Sequence, residues 1–215
     1  GLFLGTSAVT TATSTSPKGN PPDNCGMVRG NSTLSAPRFN FQVIGVDYDN
    51  IPVFLMPWGQ WDLRWLVNHP EDLKTFRRNY FQWIEDTRSG TFLNRVTNET
   101  WTSDLGAFIV DFGGLTLQQF FSEAAVKLAI TNINDLQRLN SYLSYGFVIN
   151  ASPPAHQLLN VAKPLVANLL ERFDIHGKNS NRWRTELLKR IPRSQLPLAL
   201  GGSKDFKPVA TCECI

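Results

Sequence analysis

Histidine is scarce in this chain: the three residues His69, His156 and His176 lie far apart, with no Cys or acid at metal-ligand spacing. That excludes a histidine-based metal centre and leaves little for acid–base chemistry near neutral pH. We read His69 as a helix cap, His156 as a surface residue and His176 as a buried or turn histidine. Cysteine is equally scarce, at three. Cys212-x-Cys214 is too short a pattern for a metal site. The odd count leaves open a bridge from Cys25 to one of the pair and three free thiols alike. The terminal Cys212-Glu213-Cys214-Ile215 has prenylation-box length, but Glu213 stands where aliphatic residues are usual. No run of about 18 apolar residues occurs, so no helix is expected to span a membrane. A net charge of +3 is too small to imply a nucleic-acid partner. No Gly-x-Ser-x-Gly elbow, phosphate loop or dinucleotide fingerprint is present. Asp111-Phe112-Gly113 lacks the accompanying loops of a kinase, and Asp47-x-Asp49-Asn50 has Ile51 and Pro52 where a calcium loop needs other residues. Neither an enzyme, a metal nor an organic cofactor is expected.

What the chain does have is apolar patterning. With 215 residues and 42% hydrophobic composition, there is room for one domain with a sizeable core. Residues 1–38 are rich in Ser, Thr, Pro, Gly and Asn and read as a leader. From Phe39 the texture changes. Phe39–Val46 and Pro52–Met56 read as strands around an Asp47–Asn50 turn, a hairpin. His69-Pro70-Glu71-Asp72 is a helix start, followed by Leu73, Phe76, Tyr80, Trp83 and Ile84 at helical spacing. Residues 86–104 read as polar and turn-like. Phe108-Ile109-Val110 is a short apolar strand of the kind buried on both faces. Residues 115–139 read as one long helix with Phe120, Phe121, Ala124, Ala125, Leu128 and Ala129 on its apolar side.

Tyr145–Ile149 is the next buried strand, and residues 155–171 a helix bent by, or started after, Pro164. Residues 172–175 are expected to be the last strand, and Trp183, Leu187, Leu188 and Ile191 define a closing helix. Strands alternating with helices predict an α/β domain with a mainly parallel buried sheet flanked by helices. Between Lys163 and Arg193 eight Lys/Arg stand against three Asp/Glu. This basic end reads either as a solvated face or as one that rests transiently on an anionic membrane surface. Asn31-Ser32-Thr33, Asn98-Glu99-Thr100 and Asn150-Ala151-Ser152 are glycosylation sequons, about as many as chance provides.

Several segments in order carry a resemblance. Gly45-x-Asp47 and Pro52-Val53 precede Gly59-Gln60-Trp61-Asp62-Leu63-Arg64, and Phe108-Ile109-Val110-Asp111 runs into Gly113-Gly114-Leu115. Phe147-Val148-Ile149 leads to Asn150-Ala151-Ser152-Pro153-Pro154, Lys163-Pro164, His176-Gly177 and Leu196–Gly202. From about Phe39 to Gly202 the chain resembles the CRAL-TRIO lipid-binding domain, shared by phosphatidylinositol exchange, tocopherol transfer and retinaldehyde-binding proteins. We therefore divide it into a leader (1–38), a CRAL-TRIO-like domain (39–202) and a C-terminal tail (203–215). The helical subdomain that usually precedes the family's domain is not seen here. The family's headgroup-binding Glu, in a Tyr-Pro-Glu-Arg motif, has no counterpart, although Arg172 can stand in for its Lys. This shifts weight from an inositol headgroup to a small hydrophobe.

The resemblance implies a hydrophobic pocket closed by a gate helix. Phe108, Val110, Phe147 and Ile149 are expected on the sheet floor, and Phe120, Phe121 and Leu128 in a wall. Leu158, Leu159, Leu165, Leu169 and Phe173 are expected to face inward from the gate, with Ser122, Tyr142 and Arg172 as polar ligand contacts. The expected function is non-enzymatic binding and transport of a tocopherol, retinoid, carotenoid or similar lipid. Phospholipid exchange, and an interaction module on the same fold, are the alternatives. The protein is expected to be soluble, cytoplasmic by the family's habit, with secretion open.

Overall fold

The computed structural model describes residues 39–97 and 100–215. In chain order these form β1 (Asn40–Val46), β2 (Pro52–Met56), α1 (Leu63–Val67), α2 (Pro70–Arg88), α3 (Thr91–Thr97) and β3 (Gly106–Asp111). Then follow α4 (Glu123–Asp135), β4 (Leu143–Ile149), α5 (Pro153–Leu170), β5 (Phe173–Ile175), α6 (Ser180–Arg190) and β6 (Ala210–Glu213). The leader, Cys25 and the sequons at Asn31 and Asn98 lie outside the described residues.

All six strands form one sheet in the order β5-β4-β3-β2-β1-β6. The pairs from β2 to β5 are parallel, and β1 is antiparallel to both β2 and β6. The fold is thus the expected α/β architecture, a mainly parallel sheet between helices. The β1–β2 hairpin is present, and its turn is held from inside: Asp47 Oδ1 accepts from the backbone N–H of Asp49 at 2.9 Å and of Ile51 at 2.8 Å. Asn50 closes it at φ 60°, a conformation Asn tolerates.

Successive strand residues point to opposite faces, so each strand feeds two cores. Phe54, Met56, Phe108, Val110 and Val148 pack on the face covered by α2, α3, α4 and α5. Val53, Ala107, Ile109, Tyr145, Phe147 and Ile149 pack on the other face, under Trp183 and Leu187 of α6 and the Leu196–Leu200 segment. In β1 this alternation puts Val43 in the first core and Ile44 in the second, and a bulge between Val43 and Gly45 then sets Gly45 opposite Val53.

Helix α2 begins as the sequence predicts, with Pro70 in its first turn and Glu71 and Asp72 at the positive end of the dipole. His69 occupies the cap position but does not cap: its Nδ1 lies 2.7 Å from the Trp65 carbonyl and its ring stacks on Trp65 at 3.8 Å.

Three expectations change. Residues 91–97, read as a polar turn, form α3 and bury Phe92, Leu93 and Val96. The single helix expected over 115–139 is a short helical turn at Leu117–Phe121, then α4, then a second short turn at Leu136–Leu139. Ser122 makes the break: its Oγ accepts from the Ala125 N–H at 3.2 Å and caps α4, so the chain before it cannot continue the helix. The segment 203–215, read as a tail, supplies β6, which makes the sheet one strand longer than expected. Asn79 of α2 fastens its end, donating to the Cys214 carbonyl at 2.9 Å.

Candidate functional site

The Gly59–Arg64 segment builds one corner of the molecule. Gly59 lies so close to the Phe112 and Gly113 backbone that a Cβ there would fall on it, which locks two loops together. Asp62 caps α1, accepting from the Trp65 N–H at 2.9 Å. Trp61 Nε1 donates to the Asn40 carbonyl at 3.1 Å. Arg64 donates to the Gln118 carbonyl at 3.1 Å, and Gln119 donates back to the Trp61 carbonyl at 3.2 Å. The Leu117–Phe121 turn is therefore tied over α1 by two hydrogen bonds.

Between these parts lies an apolar cavity of about 40 Å³. Trp58, Trp61 and Phe112 line it from the strand ends, Phe120 from the turn, Ala125, Ala129 and Asn132 from α4, and Leu158 from α5. A polar cleft of about 490 Å³ with Asp62, Arg64 and Gln118 in its wall adjoins it, and Gln119 lines both. A second apolar void, about 10 Å³, lies between the sheet and the end of α5, lined by Met56, Phe108, Val110, Leu139, Leu169 and Phe173. Ligand pockets usually hold about 300 to 1,000 Å³, and both voids are far smaller.

Helix α5 starts on Pro153 and Pro154 and carries Pro164 inside it. Proline removes a backbone donor and clashes with the preceding turn, and the helix departs from helical geometry at Val166. The bend expected at Pro164 is thus present.

The expected ligand residues fall into five groups. Phe108, Val110, Leu169 and Phe173 surround the second void, and Phe120 and Leu158 line the first. Leu128 and Leu159 are buried in the same core without lining either void. Phe147 and Ile149 are not on that floor: Phe147 stands opposite Ile109 in the parallel ladder and shares its face, beneath α6. The floor beside Val148 is instead Gly146, where the Phe173 ring occupies the room a side chain would take. Phe121 and Leu165 point outward, 79% and 47% exposed.

The three polar candidates all have structural duties. Ser122 caps α4. Tyr142 packs edge-on against Phe54 and Phe108, and burial pushes its phenol above the ordinary tyrosine range. Arg172 donates to the Asn140 carbonyl at 2.6 Å and the Leu143 carbonyl at 2.7 Å. Trp58 and Asn132 were not anticipated. Asn132 had one signal, a polar residue at helical spacing from Ala125, Leu128 and Ala129.

Among the described residues no helix is long and apolar enough to cross a membrane, and no group of three or more His, Cys, Asp or Glu could hold a metal ion. Cys212 is disulfide-bonded and Cys214 is a buried free thiol, so three free thiols do not describe the chain. Asn150 Nδ2 is engaged with Asp111 Oδ1 at 2.8 Å.

A family model described as the CRAL/TRIO domain matches residues 39–202, and the chain belongs to that family. Its members are lipid-binding and transfer proteins, generally without enzymatic activity. Among solved structures the chain is similar to the one described as "Crystal structure of Sfh5", at 12% identity and a TM-score of 0.44. That likeness covers 66% of this chain and 49% of the other, about half its length. No curated protein matches.

Proposed function

We propose that this protein is a non-enzymatic carrier of a small hydrophobic molecule, a tocopherol, retinoid, carotenoid or similar lipid, held between the sheet and helices α4 and α5. The observation that carries the reading is the pair of apolar voids on this one face of the sheet, beneath a proline-bent helix, in a member of a lipid-transfer family. Burying a few hundred Å² of ligand surface is worth on the order of 5 to 10 kcal/mol before ordering costs. In this state the voids are too small for a whole lipid, so loading requires movement. Helix α5 is the gate in this reading, with its bend as the hinge, Leu158 and Leu169 on its inner side, and Phe173 of β5 beside them. The two hydrogen bonds of the Leu117–Phe121 turn are the second place that can yield. The exposed Phe121 and Leu165 then serve as bilayer contacts during exchange, alongside the basic α6. The disulfide at Cys212 supports an oxidising compartment rather than the cytoplasm.

The test is organic extraction of the protein purified from its native source, read by mass spectrometry and absorption. One lipid near one equivalent supports the carrier and names the cargo, and a phospholipid moves the assignment to exchange. An empty extract that no candidate lipid can refill removes the carrier reading. Binding to anionic vesicles would then leave an interaction module.

A further inference from the structure

We propose that the cavity between the Trp58 corner and α4 receives the oxygen-bearing end of the cargo, and that the cargo is a neutral lipophile with a carbonyl-type acceptor taken by Asn132 Nδ2 and Trp58 Nε1. This rests on the carrier reading and narrows its substrate class. Both residues line the same cavity, and both N–H groups are buried with no partner among the described residues. A buried donor without an acceptor costs free energy, so native proteins nearly always satisfy it.

The orientation of Asn132 is set from behind. Its Oδ1 accepts from Arg77 Nη1 at 2.7 Å, and a guanidinium can only donate, so the amide cannot be turned round. Arg77 is itself held by Asp135 at 2.7 Å. The Asn132 carbonyl accepts from the Tyr80 hydroxyl at 3.0 Å, and the residue is 2% exposed. Trp58 is similarly fixed, edge-on to Phe112 at 6.2 Å and tilted on Trp61 at 5.9 Å, beside the locked Gly59. These donors are preorganised before anything arrives.

Two N–H donors select an acceptor. A pure hydrocarbon leaves both unsatisfied. A carboxylate brings a charge into an apolar site, and Arg77, the cation behind Asn132, is already committed to Asn132 and Asp135. A ketone, aldehyde or ester oxygen accepts from such a donor without bringing a charge. The volume of about 40 Å³ suits that end of a molecule, with the rest placed by movement of the turn or α5.

The test uses the full chain, stripped of lipid and equilibrated with equal amounts of hexadecane, the methyl ketone of the same length and palmitic acid. The protein is then repurified, extracted and quantified by mass spectrometry. Wild type should retain the ketone about fivefold or more over the alkane, the preference expected from even one net hydrogen bond. Trp58→Phe, which keeps a packed ring, and Asn132→Leu should each lower that preference about fivefold. Equal retention of ketone and alkane by wild type, as when water alone satisfies the donors, overturns the inference while leaving the carrier reading intact. So does palmitic acid retained above the ketone, or a ketone preference unchanged in both variants. Retention of none of the three, with an empty native extract, overturns both.

Discussion

The Tyr145 hydroxyl donates to Asp47 Oδ2 at 2.8 Å, joining β4 to the β1–β2 turn across 98 positions of sequence. Asp47 is 4% exposed, and its other oxygen organises the turn. Tyr145→Phe removes the donor and leaves a buried carboxylate oxygen without it. We expect a loss of about 1.5–3 kcal/mol, read as a lower urea midpoint at unchanged slope.

Gly59→Ala places a methyl group on the Phe112–Gly113 backbone, which cannot swing aside as a side-chain end would. The expected cost is about 1–3 kcal/mol by denaturant titration, with altered tryptophan emission because Trp58 and Trp61 flank the site. A fully stable variant with wild-type emission would show that the two loops are not locked.

Leu158 and Phe121 were both expected to face the ligand, yet Leu158 is buried and Phe121 is the exposed one. Leu158→Ala should cost about 2–5 kcal/mol, while Phe121→Ser should stay within about 0.5 kcal/mol of wild type. If Phe121 serves as a bilayer contact, the second variant also loses affinity for anionic vesicles in a flotation assay.

Removing the proline from α5 restores a backbone donor where the helix is bent. In Pro164→Ala we expect slower amide exchange around Val166, measured by hydrogen–deuterium exchange with mass spectrometry. Transfer of a loaded lipid between vesicles should slow in parallel if the bend is the hinge.

Burial holds the Cys214 thiol above its ordinary 9.0, and the Tyr80 and Tyr142 phenols above their ordinary 10.0. These folded values are raised, so their contribution is intact below the unfolded values and lost as pH rises. From about pH 9 the unfolded chain releases these protons first, and stability should fall with increasing pH. Cys214→Ala should remove the earliest part of that decline in midpoints measured from neutral to alkaline pH.

The elements were legible wherever periodicity or composition was strong. The Phe108–Val110 and Tyr145–Ile149 runs announced buried strands, and Pro70 with two acids announced α2. What a wholly apolar strand lacks is alternation. Nothing in Phe147-Val148-Ile149 says which side chain faces which helix layer, and only the ladder opposite β3 decides that Val148 joins the side covered by α4 and α5. Phe120 and Phe121 both precede the Ser122 cap, which stops one helical register and begins another, so the spacing of α4 does not extend back to them. Trp58 and Asn132 stayed unread because N–H groups left unpaired among the described residues are three-dimensional facts: both need the groups around them to be known.

Strand β6 carries a practical lesson for anyone cutting this protein down. The family match ends at Gly202, which invites a fragment stopping there. Such a fragment strips the outer neighbour from β1 and bares a row of backbone donors and acceptors beside Phe41 and Val43. A naked strand of that kind recruits another copy of itself, so the shortened protein should precipitate or form oligomers where the chain carrying Ala210–Glu213 stays dispersed.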